Sequence, residues 1–253
     1  MPQRGMDFNN QNGVDTNTAP LTNVSLCIKA MLRVKERARH LPGFVCFYGP
    51  SGWGKSKAAA YVANKQHAYY IECKERWPRK AVFLAILRDM GIEPAKTQYE
   101  MLEQVCRQLA SSGRPLIVDE FDHLVNRGYV EMIRDIYEGS GAAILLVGEE
   151  MLPQKLKRWE RFYGRVLDWI PAQPADFDDC RSLAQFYCDR VTIKDELLAV
   201  LHKRSRGSAR RIVVYLDRVQ DWAGQSGLDV VGLQEAGDRD FYEDEAPKRS
   251  LLL

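Results

Sequence analysis

The sequence predicts an α/β fold, a five-stranded parallel sheet flanked by helices and followed by a small C-terminal helical lid. Three observations predict it. Short continuous apolar runs at 44–48, 116–118 and 143–147 have the pattern of strands buried on both faces of a parallel sheet. Helix-like stretches separate them at roughly 55–66, 80–90, 97–111, 126–138 and 150–162, and weaker strand signals at 68–71 and 166–170 bring the strands to about five. From the Pro-Ala-Gln-Pro of 171–174 onward the strand signals stop, and 176–189, 194–204 and 208–223 read as three helices.

Taken in order, residues 1–21 are polar, rich in Asn, Gln, Thr and Gly, and read as a flexible arm. The core spans 22–173 and opens with a helix, marked by Val24, Leu26, Ile28, Met31, Leu32 and Val34 among basic positions and ending near 41–43. The helical lid takes 174–227, and 228–253 reads as an acidic, flexible tail. That tail holds seven acids against three bases, so the net charge of +2 conceals a body near +6. Such a body permits a polyanionic partner. The 253 residues suffice for one substantial core plus a small accessory domain. The six cysteines show neither paired spacing nor a neighbouring His pattern, which points away from zinc and toward reduced thiols. With no apolar run approaching 18 residues, the expectation is a soluble, cytoplasmic protein with no membrane partner.

The chemistry concentrates in two segments. Gly49-Pro50-Ser51-Gly52-Trp53-Gly54-Lys55-Ser56 fits the phosphate-loop pattern GxxxxGK[ST] and lies between an apolar strand and a helix, where that pattern has physical meaning. Small residues let successive backbone N–H groups turn inward around phosphates. The helix N-terminus adds its dipole, Lys55 reaches the β- and γ-phosphates, and the Ser56 hydroxyl ligates Mg2+. Lys57 is counted with the nucleotide contacts, and Trp53 occupies a free position of the motif as a packing or stacking residue. The second segment, Leu116-Ile-Val-Asp119-Glu120, sets two carboxylates at the end of a strand, where ligands of open parallel sheets gather. Asp119 would hold Mg2+ and Glu120 would polarise the attacking water of ATP hydrolysis. His123 follows closely, but Glu120 already fills the base role.

With these motifs and Ile-Leu-Leu-Val-Gly-Glu-Glu at 144–150 in this order, residues 22–223 resemble the AAA+ ATPases of DNA transposition, the family of the phage Mu B protein. The resemblance implies a γ-phosphate sensor at Glu149, where the family commonly has Asn. It also implies an arginine finger at Arg161 or Arg165, supplied to the neighbouring subunit, with a solvated basic helix end as the alternative for either. Arg210, in Gly207-Ser-Ala-Arg210, matches the second sensor that touches the γ-phosphate in cis. Lys74, Arg76, Arg79 and Lys80 match a loop that faces DNA, and a second basic surface is offered by Lys203, Arg204 and Arg206. Implied too are duplex DNA bound without sequence readout, a transposase partner contacted by the acidic tail, and a homo-oligomer, filament or ring, with nucleotide at subunit interfaces. Two other functions stay open: a secretion-associated AAA ATPase, and a helicase-loader or initiator-like ATPase.

Overall fold

The computed structural model describes residues 19–242. The core runs α1 (Thr22–Lys35), β1 (Phe44–Tyr48), α2 (Lys55–Gln66), β2 (Tyr69–Glu72), α3 (Arg79–Asp89), α4 (Gln98–Ser112), β3 (Leu116–Asp119), α5 (Asp122–Asn126), α6 (Val130–Ser140), β4 (Ile144–Gly148), α7 (Leu152–Leu156), α8 (Glu160–Tyr163) and β5 (Val166–Pro171). All five strands are parallel, in the order β2-β3-β4-β1-β5. The expected five-stranded sheet is therefore present.

Alternation along the strands divides the core into two layers. Phe44, Cys46, Leu116, Val118, Ile144 and Leu146 face α3, α4, α5 and α6. Val45, Phe47, Ile117, Leu145 and Val147 face α1 and α2. Each fully buried Val, Leu, Ile or Phe contributes about 1.5–3 kcal/mol, and the three central strands supply such residues to both layers. The edge strand β5 is only half-buried along most of its length, which explains its weaker apolar signal.

A second unit follows, with α9 (Phe177–Tyr187), β6 (Thr192–Ile193), α10 (Asp195–Ser205), α11 (Ala209–Ser226), β7 (Val230–Val231) and α12 (Leu233–Ala236) around its own core. α9 starts in a capping box in which Asp176 Oδ1 accepts from the Asp179 N–H and Asp179 Oδ2 from the Asp176 N–H. The same Asp179 accepts the Thr22 N–H at 2.7 Å, tying α1 to the helical unit. Asn23, 4% exposed, donates to the Trp53 and Gln173 carbonyls and accepts the Gln173 N–H. One buried amide thus joins the first helix, the turn after β1 and the connection into the helical unit.

Four details differ from the sequence expectations. The opening helix ends at Lys35, short of 41–43. The helix expected over 126–138 is α6, and the short α5 before it was not expected; between them the Tyr129 N–H turns back to the Leu124 carbonyl. The one expected over 150–162 is two, α7 and α8, with Trp159 N donating to Leu156 O between them. Strand signals do not end at 171: β6 and β7 pair in parallel inside the helical unit. The last finding also corrects the tail. Residues 228–242 bury Val231, Ala236 and Phe241 against α10 and α11, so this part is packed. The remainder of the expected tail, 243–253, and residues 1–18 of the expected arm lie outside the described residues.

Candidate nucleotide-binding site

The site is built where β1 and β3 end, on either side of β4. After Tyr48 the chain turns through the Gly-rich loop, in which Gly52 and Gly54 both have φ of 82°. This left-handed region is nearly free for glycine and disfavoured for other residues. Gly54 is the residue from which α2 starts, and the first-turn N–H groups of α2 have no side-chain cap. Those unsatisfied donors, with the positive end of the helix dipole, form a cradle suited to phosphate.

Lys55 donates to the Pro50 carbonyl at 2.8 Å, across the same loop. Its pKa is lowered by burial, against the attraction of Glu120, Asp119, Asp122 and Glu149. Four acids from the ends of β3 and β4 therefore lie within electrostatic reach of this one amine. Ser56 hydrogen-bonds through its side chain to Asp119. Asp119 is 1% exposed, accepts the Tyr70 hydroxyl at 2.8 Å on Oδ2, and accepts the Glu120 N–H at 2.8 Å on Oδ1. Burial holds its pKa above the usual carboxylate range, opposed by those hydrogen bonds.

Glu120 departs from regular backbone at φ 53°, a left-handed value that costs a non-glycine residue about 1–2 kcal/mol. The turn sends Phe121 into the core while leaving the Glu120 carboxylate half-buried at the site. Burial and then the adjacent Asp119 raise its pKa, whereas His123 and Lys55 pull it down. A carboxylate so placed is less strongly held in its ionised form than a surface glutamate, which suits a proton acceptor.

The residues fit Mg2+ with a nucleotide triphosphate. Among the described residues no cluster of three or more His, Cys, Asp or Glu could hold a metal by itself. Mg2+ is characteristically bound by one or two protein oxygens plus substrate phosphates, and the hydrogen-bonded Ser56–Asp119 pair beside the cradle is such a set. All six cysteines are free and five are buried.

The helical unit closes one side. The Arg210 N–H donates to the Gly52 carbonyl at 3.0 Å, and a Cβ added to Gly52 would lie 2.8 Å from Ser208 Oγ. The start of α11 is thus seated directly on the loop, and Arg210 is exposed beside it. Lys57 is exposed on α2, and Trp53 packs toward α1 and α2, which favours packing over stacking for that ring.

Glu149, just past β4, is half of an arrangement that sequence reasoning missed. Asp122 is 2% exposed; its Oδ2 accepts the Glu149 N–H at 2.7 Å, and its Oδ1 accepts Lys155 Nζ at 2.7 Å. Lys155 also reaches Glu149 Oε2 at 3.2 Å. Nothing in the local spacing marks Lys155, because its partners come from the start of α5 and the end of β4. The available signal was the third acid, two residues beyond Glu120.

The two arginines expected as alternatives have different surroundings. Arg165 donates to Glu138 Oε1 of α6 at 2.8 Å. Arg161, on α8, is exposed and has no hydrogen bond or ion pair among the described residues. The basic loop after β2 exposes Lys74, Arg76, Arg79 and Lys80, while Trp77 packs against the core.

A family model described as an AAA domain matches residues 38–156, from before β1 through α7. It takes in the loop, both acids and Lys155, and leaves α8 and the helical unit outside. No curated protein matches the chain. Among solved structures, the chain is similar to the Aeropyrum pernix ORC2 protein in its ADP form, at 16% identity and TM-score 0.63, covering 83% of this chain and 64% of that one. Similar too is the Aeropyrum pernix ORC1 protein in complex with DNA, at 17% identity and TM-score 0.60, covering 83% and 61%. The Thermotoga maritima RuvB Holliday junction branch migration motor matches at 20% identity and TM-score 0.58, covering 84% and 66%. The chain spans just under two thirds of the length of each of these structures, and at such identities the likeness is one of fold. No helix among the described residues is long and apolar enough to cross a membrane.

Proposed function

We propose that the protein is a Mg2+-dependent AAA+ ATPase that acts on DNA. The observation that carries the ATPase reading is the meeting of Lys55 and Ser56 with Asp119 and Glu120 across β4. The loop N–H groups and Lys55 bind the phosphates. Ser56 and Asp119 would hold the metal, which would supply charge neutralisation at the phosphates. Glu120 orients a water and accepts its proton. Arg210 approaches the same phosphates from the helical unit, and Arg161 reaches the nucleotide of the next protomer in a homo-oligomer, where it stabilises transition-state charge.

The basic loop after β2 supports a nucleic-acid partner: its exposed cations contact phosphates and carry no base readout. The fold shared with the ORC1 protein in complex with DNA supports it as well. Of the functions the sequence left open, the initiator-like or loader-like one has the support of the ORC structures. The transposition reading and its transposase partner rest on the motif resemblance alone and find no support in the comparisons.

The test is fluorescence anisotropy of random-sequence duplex and single-stranded DNA with ATP, with ADP and without nucleotide. Nucleotide-dependent, salt-sensitive binding supports the proposal. Length-dependent assembly on duplex would return weight to transposition, and a single-strand preference would favour a loader. Absence of DNA binding under every nucleotide condition would leave the secretion-associated alternative.

A further inference from the structure

The sheet order places the end of β4 between the phosphate loop and the acid pair. The residue at that end is Glu149, whose carboxylate repels a phosphate. Its charge is answered by Lys155, which lies 3.2 Å from it and 2.7 Å from the buried Asp122. Asp122 has both oxygens engaged, one by the Glu149 N–H and one by Lys155, so it fixes the backbone and the amine together. A residue larger than glycine at 148 would collide with that carboxylate and with Leu152, which explains the glycine just before Glu149.

An ammonium has three N–H donors, and two of those of Lys155 are committed to Asp122 and Glu149. The side chain is 29% exposed, so the third donor has access to solvent, and the Glu149 side chain, 60% exposed, is free to swing away. Burial alone would lower the Lys155 pKa, but the hydrogen bonds and attraction of Asp122 and Glu149 outweigh it and keep the amine charged. The Gly49 N–H of the phosphate loop donates to the Gly148 carbonyl at 3.3 Å and the Phe121 N–H to the Val147 carbonyl at 2.9 Å, so the backbone that carries Glu149 and Asp122 borders both the loop and the acid pair.

We propose that Lys155, held by Asp122, is the group that contacts the terminal phosphate of ATP from the end of β4, and that Glu149 is its counter-ion in the nucleotide-free protein. This rests on the ATPase reading above. Lys155 then discriminates triphosphate from diphosphate, which neither a surface ion pair nor a purely structural lysine does.

The test measures ATP and ADP affinity by calorimetry in wild type, Lys155→Met, Lys155→Arg and Glu149→Gln, with Mg2+ present. Losing a hydrogen bond to a charged group corresponds to roughly a tenfold or larger change in affinity. The expected result is a loss of that size for ATP in Lys155→Met, ADP affinity within about twofold, partial rescue by arginine, and undiminished preference for ATP in Glu149→Gln. Equal losses for ATP and ADP, or none, overturn the assignment, as does loss of the preference in Glu149→Gln. Where Lys155→Met fails to fold, Lys155→Gln, which keeps a donor for Asp122 but no charge, repeats the measurement, and an ATP preference equal to that of the wild type overturns the assignment. A wild type that binds neither nucleotide overturns the ATPase reading itself, which separates the two failures.

Discussion

Two neighbouring regions along the strand ends of one sheet are built on opposite principles. At the ends of β1 and β3, Lys55, Ser56, Asp119 and Glu120 come from segments more than sixty residues apart in sequence and alter one another's proton affinity. At the end of β2, one short loop places its cations in solvent. Lys74 pairs with Glu72, Arg79 lies 5.0 Å from the Tyr129 ring centroid, Lys80 donates to the Lys96 carbonyl at 3.3 Å, and Arg76 has no hydrogen bond or ion pair among the described residues. The first site depends on convergence, so one misplaced atom disables it. The second depends on local charge, so it weakens by increments.

The sharpest way to break that contrast is to remove single groups from the convergent site. Lys55→Ala is expected to lower ATP affinity by about a hundredfold or more, since it deletes a charge-assisted phosphate contact and leaves four acids facing the loop. Glu120→Gln keeps the shape and should bind ATP normally while turnover falls by about a thousandfold, within the range for loss of a positioned base. Calorimetry and phosphate-release kinetics separate the two variants. A Glu120→Gln protein that turns over at the wild-type rate would remove Glu120 from the base role.

Intermediate in size is the difference between Arg161 and Arg165. Arg161→Ala should reduce turnover by about a hundredfold, the scale for losing one transition-state donor. Arg165→Ala should change it less than about threefold and cost under about 1 kcal/mol of stability, since its pair with Glu138 is half-exposed. A mixing experiment reads the trans role directly. Lys55→Ala and Arg161→Ala should each turn over slowly alone, whereas mixed oligomers would contain interfaces with an intact loop from one protomer and an intact Arg161 from the other. Recovery of activity on mixing is expected, and its failure would place Arg161 outside the neighbouring site.

What could be read from the amino acids follows the same division between local and convergent. Strands β1, β3 and β4 were legible because both faces are buried and each is a continuous apolar run. The phosphate loop was legible because its conformational demand for glycine is written locally. Lys155 was not, because a lysine beside Lys157 and Arg158 looks like a solvated helix end until Asp122 and Glu149 are brought to it by the sheet. The packed stretch 228–242 was hidden for a related reason. Its four acids run on into the Glu-Asp-Glu of 243–245, so the whole end reads as acidic, while the residues that bury, Val231, Ala236 and Phe241, are too widely spaced to form a run. The two-residue strands β6 and β7 fall below any periodicity that a sequence could display.

The smallest expected effects belong to the loop after β2, and there the unpaired side chain should matter most. Arg76 gives up no existing contact when it meets a phosphate, whereas Lys74 must leave Glu72 and Arg79 must leave the Tyr129 face. Arg76→Ala is therefore expected to weaken DNA binding by several-fold for all sequences alike, and to reduce the slope of log affinity against log salt by about 1. Lys74→Ala should change both quantities less. Trp77→Ala should leave the salt slope unchanged and instead lower the melting temperature, because that ring packs on the core. Anisotropy titrations at four salt concentrations, paired with thermal melts, distinguish these outcomes. An unchanged salt slope in Arg76→Ala would show that the exposed cations of this loop do not meet the DNA, leaving Lys203, Arg204 and Arg206 of the helical unit as the surface to test.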